Sequence, residues 1–131
     1  MFDAHAHLSE LPSDVHEVSG WILPGLNAAE DHANARLGTD RRVFPAVGLH
    51  PWYLPELHDL PDALAALEAR TAGAIGIGET GLDKLRRAGP RPVQEAAFRA
   101  QVALAAELGL PLILHVVGRH GACLEVLRES G

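Results

Sequence analysis

Two histidines separated by one alanine, His5 and His7, sit in the opening stretch Phe2-Asp3-Ala4-His5-Ala6-His7-Leu8. In a β-strand, alternate side chains share a face, which puts the two Cα atoms roughly 6.6 Å apart. Imidazoles so placed can converge on one metal ion. A helix would turn them about 200° apart and separate them. Such a pair also recurs by chance, so the positions of the other reactive residues matter more. His50 follows the apolar run 43–49, Glu79 follows 74–78, and His115 follows 110–114. A charged or metal-binding side chain at the end of an apolar strand loses hydration that only a partner can offset. Any one of these residues is explained by an ordinary hydrogen bond. Four strands all ending in His or Glu point to a common rim.

Imidazoles combined with a carboxylate suit a mid-series divalent ion such as zinc, manganese, iron or nickel. A carboxylate can bridge two ions, so Glu79 could serve both. Two ions about 4 Å apart clamp a phosphate for in-line attack.

For these residues to meet, the strands carrying them must lie side by side and run one way. The sequence predicts strands over 2–8, 21–23, 43–49, 74–79 and 110–116. Helices are expected over 27–37, from Pro61 to Gly73, over 92–108 and over 122–129. Asn27 followed by Glu30 reads as a capping box. Leu60, Leu64 and Leu67 recur at helical spacing, as do Phe98, Val102 and Ala105, with Gly109 placed to cap the third helix. Leu124 and Leu127 are expected to face inward from the last. Segments 9–19 and 80–91 read as loops. Apolar strands alternating with amphipathic helices give an α/β fold with a parallel sheet, either open and doubly wound or a barrel. In both, functional groups gather at the carboxyl ends of the strands.

The chain has 131 residues, 47% of them apolar, enough for one domain with a real core. A formal net charge of −6 argues against a broad basic surface that tracks phosphates. It leaves room for an enzyme that meets nucleic acid locally, through metal ions. The single cysteine, Cys123, allows neither an internal disulfide nor a multi-cysteine zinc site. It reads as a small core residue and suits a reducing, cytoplasmic compartment. No signal peptide precedes the first strand, and no apolar run reaches membrane-spanning length. His16, His32 and His58 read as solvated surface residues, while His120, just past the fifth strand, could face the rim or solvent.

Taken in order, four blocks resemble the TatD family of metal-dependent hydrolases, a branch of the amidohydrolase-like barrels. They are Asp3-Ala-His5-Ala-His7-Leu8, Val47-Gly-Leu-His50-Pro51, Ile77-Gly-Glu79-Thr-Gly-Leu-Asp83 and Leu110-Pro-Leu-Ile-Leu-His115. Gln94, Phe98, Gln101 and Leu104 echo the helix that precedes the family's last block. The resemblance implies a TIM-like barrel with two divalent metal ions (zinc, manganese, magnesium, iron or nickel) that hydrolyses phosphodiesters, often of DNA. On that reading His5 and His7 bind the first metal, Glu79 bridges and is catalytic, and His115 binds the second. His50 sits beside the substrate phosphate, Asp83 orients its loop, and Arg119 and His120 reach substrate.

A whole barrel of this kind takes about 250 residues. This sequence is therefore expected to supply about five of eight strands, as a single domain truncated at its C-terminal side. The family's late histidine and aspartate have no counterpart in it. Self-association or a missing second half would cover the open sheet. Two other readings stand beside phosphodiester cleavage: a metal-binding half-barrel without turnover, and amide or lactone hydrolysis at a similar centre.

Overall fold

In chain order the elements are β1 (Phe2–Asp3), β2 (Gly20–Leu23), α1 (Ala28–Leu37), β3 (Val43–Pro45), α2 (Leu60–Glu68), β4 (Ile77–Asp83), α3 (Arg91–Leu108), β5 (Leu112–Val117) and α4 (His120–Glu129). They come from a computed structural model that describes residues 1–13, 18–85 and 88–130. His16 lies outside the described residues. Every strand pairing is parallel: β1 with β2, β2 with β3, and β4 with β5. Among the described residues, one parallel bridge, between Val47 and Ile77, joins the two sets. The strands thus lie side by side in chain order, without the reversal that marks a doubly wound sheet. The architecture is α/β, parallel βα units of an incomplete TIM-like barrel, with β1 and β5 outermost. On β5, Leu114 is 41% exposed.

Several boundaries differ from the sequence reading, each for a local reason. The first strand stops at Asp3, because the Asp3 carboxylate accepts the backbone N–H of His5 and draws the chain into a turn. The stretch stays tethered: Ala6 N–H donates to the Ile22 carbonyl at 3.0 Å. Ala6 and Leu8 pack on the cluster of Trp21, Leu23 and Val43, while His5 and His7 remain exposed. The alternation expected of a strand therefore survives outside one.

The third strand ends at Pro45, which has no N–H to give a ladder. Beyond it, Ala46 N–H still donates to the Leu23 carbonyl and Val47 bonds the backbone of Gly76 and Gly78, and side chains take over at Gly48 and Leu49. Asp31 Oδ1 accepts from Gly48 N–H at 3.4 Å, and Gln101 Oε1 accepts from Leu49 N–H at 2.8 Å. The fourth strand begins at Ile77 and continues to Asp83, so Thr80–Asp83, expected in a loop, pairs with β5 through Val117. The ladder is irregular between Ile77 and Thr80. Gly78 and Gly81 have φ of 152° and 145°. A Cβ on Gly81 would fall 2.1 Å from the His115 carbonyl oxygen, so β4 and β5 approach this closely only with glycine there.

Asn27 Oδ1 caps α1 by accepting from Ala29 and Glu30 N–H. Helix α2 ends at Glu68, short of Gly73, which makes a left-handed turn at φ 80° farther on. Helix α3 ends on left-handed Gly109 and buries Val93, Ala97, Phe98, Val102 and Ala105. Phe98 is fully buried in one cluster with Leu82, Val102, Cys123 and Val126, where burial contributes about 1.5–3 kcal/mol per large side chain. Helix α4 presents Cys123, Val126 and Leu127 to that cluster, and Leu124 is 49% exposed, correcting the inward placement expected of it. Positions 123, 126 and 127 form one helical face, and 124 falls off its edge. Among the described residues, no helix is long and apolar enough to cross a membrane.

Candidate metal centre

Glu79 lies inside β4, two residues past its start, and its side chain is 9% exposed. Its two oxygens face different histidines. Oε2 lies 3.5 Å from His5 Nε2 and 3.3 Å from His7 Nε2. Oε1 lies 3.7 Å from His115 Nδ1. The rings of His5 and His7 meet edge-on with centroids 5.2 Å apart. Donor atoms of His5, His7 and Glu79 all fall within 4.8 Å of one another, and so do those of His50, Glu79 and His115. The two groups share Glu79. Nitrogen and carboxylate donors, without thiolate, fit a divalent ion of the mid-series or a harder one. The partial exposure of His5 and His7, 45% and 40% at the side chain, leaves one side of the first group open to a ligand.

Each inner histidine is also held from behind. His7 Nδ1 is 2.7 Å from Glu30 Oε1, across from α1. His115 Nε2 is 2.8 Å from Asp83 Oδ2. Asp83 accepts further bonds from the indole N–H of Trp52 at 2.8 Å and from Leu85 N–H at 2.6 Å. Burial pushes Asp83 upward, but the bonds from His115, Leu85 and Trp52 outweigh it and hold the carboxyl below its usual range.

His50 is 4% exposed and packs edge-on against His115, with centroids 4.2 Å apart. Its Nδ1 accepts the backbone N–H of Trp52. Burial, with the neighbouring His115 ring adding to it, lowers its pKa to about 4, so the ring is neutral at neutral pH.

Five of the seven residues expected at the site, His5, His7, His50, Glu79 and His115, come together. Among the described residues, no hydrogen bond or ion pair joins Arg119 or His120 to this cluster: Arg119 takes the N-cap position of α4, and His120 is its exposed first residue. Glu79 and His115 sit within their strands, where they were expected to end them.

The sequence reading missed Glu30, assigned to the helix cap, whose carboxylate instead takes His7. It also left Gln94 and Gln101 without a role. Both project from the buried face of α3. Gln101 binds both backbone groups of Leu49, next to His50, and Gln94 Oε1 accepts from Asp83 N–H at 2.8 Å. Two glutamines seven apart on a face with Phe98 and Ala105 are the signal that could have found them, since buried amides need partners.

Known proteins share this arrangement of chain. A Yersinia pseudotuberculosis protein named 3'-5' ssDNA/RNA exonuclease TatD is 32% identical over 140 residues, a stretch covering 97% of this chain and 54% of the relative. A Pantoea ananatis protein of the same name is 35% identical over 113 residues, 84% of this chain and 43% of its own length. The crystal structure of YJJV, a TatD homologue from Escherichia coli K12, matches with a TM-score of 0.75 at 26% identity, over 98% of this chain and 55% of that one. The chain thus spans about half the length of the curated relatives it matches. The family model described as TatD related DNase matches residues 2–131, and the chain belongs to that family.

Proposed function

We propose that this chain carries a two-ion centre of a nuclease that hydrolyses phosphodiester bonds, with single-stranded nucleic acid as the substrate class. The observation that carries the reading is the division of Glu79, one oxygen toward His5 and His7 and the other toward His115. A carboxylate so divided is built to serve two cations at once. His5 and His7 would hold one ion with Glu79 Oε2, and His115 the other with Oε1. Bound divalent ions supply Lewis acidity to a phosphoryl oxygen and make water a stronger acid. The relatives named as ssDNA/RNA exonucleases support the choice of substrate.

The chain's own residues do the rest. His50 stays neutral, and because its Nδ1 accepts from Trp52, its proton sits on Nε2. It donates that proton as a hydrogen bond to a phosphate oxygen and does not transfer it. Arg119 and His120, at the carboxyl end of β5, meet the nucleic acid farther along. The 131 residues act as one domain, with β1 and β5 covered by a second half-barrel or a second copy.

The test is metal content by elemental analysis after purification without chelator, for the wild type and for a His5→Ala/His7→Ala variant. The reading expects bound divalent metal in the first and a clear loss in the second; equal content in both overturns it. Hydrolysis of 3'-labelled single-stranded DNA, set against small lactones and amides, separates phosphodiester from amidohydrolase chemistry.

A further inference from the structure

His7 and His115 both face Glu79, but through different ring nitrogens. His7 offers Nε2 to Glu79 and Nδ1 to Glu30. His115 offers Nδ1 to Glu79 and Nε2 to Asp83. An ionised carboxylate only accepts hydrogen bonds, so the ring nitrogen bonded to the outer carboxylate carries the proton. In a neutral imidazole the other nitrogen then keeps its lone pair. That lone pair faces the centre in both cases.

We propose that Glu30 and Asp83 are positioning residues that fix His7 and His115 in opposite tautomers, Nδ1–H for His7 and Nε2–H for His115, so that each turns a lone pair toward Glu79. The assignment rests on the metal-centre reading for its purpose, and on the hydrogen bonds alone for its geometry. Carboxylates behind ligating histidines raise ligand basicity and fix ring orientation.

The two outer carboxylates are built differently, which gives the proposal a sharp consequence. Glu30 is partly exposed and meets His7 through one oxygen. A glutamine there still has an oxygen to accept from His7 Nδ1–H. Asp83 is 1% exposed and accepts on both oxygens: His115 and Trp52 on Oδ2, Leu85 N–H on Oδ1. An asparagine has one accepting oxygen. With that oxygen toward Leu85, its amide faces His115 Nε2 and opposes the Trp52 indole N–H. With the oxygen toward His115 and Trp52, the amide opposes Leu85 N–H. Each arrangement leaves one donor opposed, so asparagine does not fix the tautomer. Asp83→Leu keeps the shape and removes both accepting oxygens, which frees the His115 ring proton to move to Nδ1, the nitrogen that faces Glu79.

Long-range nitrogen–proton NMR of the metal-free chain at pH 8, above the usual imidazole range, reads the tautomers directly. The wild type should give His7 as Nδ1–H and His115 as Nε2–H. Glu30→Gln should leave His7 unchanged, Glu30→Ala should mix its tautomers, and Asp83→Leu should bring His115 Nδ1–H into the mixture with His7 untouched. Zinc affinity by competition titration should fall about 10–100-fold in Asp83→Leu and stay near wild type in Glu30→Gln. A wild type with either tautomer reversed overturns the proposal, and this reading needs no variant to fold. His115 remaining wholly Nε2–H in a folded Asp83→Leu also overturns it. Tautomers as stated in a wild type that binds no zinc uphold the positioning and remove the metal centre.

Discussion

Glu79 brings its Oε2 to 3.3 Å from Nε2 of His7, tying a residue inside the β4 ladder to a segment that belongs to no strand. Converting Glu79 to Gln keeps the shape and removes the charge that two sets of imidazoles face. Metal affinity should fall by more than the roughly 10–100-fold that outer-shell residues command, with the circular dichroism spectrum unchanged. Competition with a metal-sensitive dye measures it. A Glu79→Gln protein that retains wild-type metal would remove the carboxylate from the centre.

Gln101 is fully buried, and its side chain satisfies both the N–H and the C=O of Leu49, one residue before His50. Gln101→Leu keeps much of the volume and strands both backbone groups. Each buried unsatisfied group costs about 1–3 kcal/mol. Urea unfolding should therefore show a loss of about 2 kcal/mol or more. A loss below 0.5 kcal/mol, roughly the scale of an ordinary surface change, would mean that water replaces the amide.

Asp31 predicts a pH dependence of stability. Burial raises its carboxyl from 3.8 to about 6, despite the Arg70 guanidinium 3.0 Å away. Between these values the folded chain binds more protons than the unfolded one, so this group's contribution falls as pH rises from about 4 to 6 and stays low above. The full difference is about 3 kcal/mol. Asp31→Asn cannot ionise, so the stability of the variant relative to wild type should grow by that order between pH 4 and 7. Thermal unfolding of both proteins across the range checks it, and parallel curves would refute it.

These residues also mark what could be read from sequence. His50, Glu79 and His115 were legible because each interrupts or follows an apolar run, a pattern that a strand and its rim explain. The chain-ordered wall was legible as alternating strands and helices, though only the resemblance chose barrel over open sheet. Glu30 was not legible, since its local role at the Asn27 cap looks complete and its approach to His7 is purely tertiary. Strand limits failed where side chains or neighbours override pattern. Asp3 captures the His5 N–H and ends β1 early. The glycine-rich stretch after Glu79 reads as loop, yet β5 supplies it with a ladder to Asp83.

His50 distinguishes ligand from substrate contact. Its donor atom falls within 4.8 Å of those of Glu79 and His115, as a metal ligand's would. Yet Trp52 N–H occupies the Nδ1 lone pair, so the neutral ring carries its proton on Nε2 and offers a donor there instead of a ligand lone pair. The substrate role predicts that His50→Gln, whose amide still donates, leaves metal stoichiometry unchanged. His50→Ala should weaken binding of a dinucleotide phosphodiester about tenfold, the scale of one hydrogen bond to a charged oxygen. Elemental analysis and calorimetry with the dinucleotide read the two effects separately. Loss of a metal equivalent in His50→Ala would instead make His50 a ligand of the ion on the Oε1 side of Glu79, and the phosphate would need another donor.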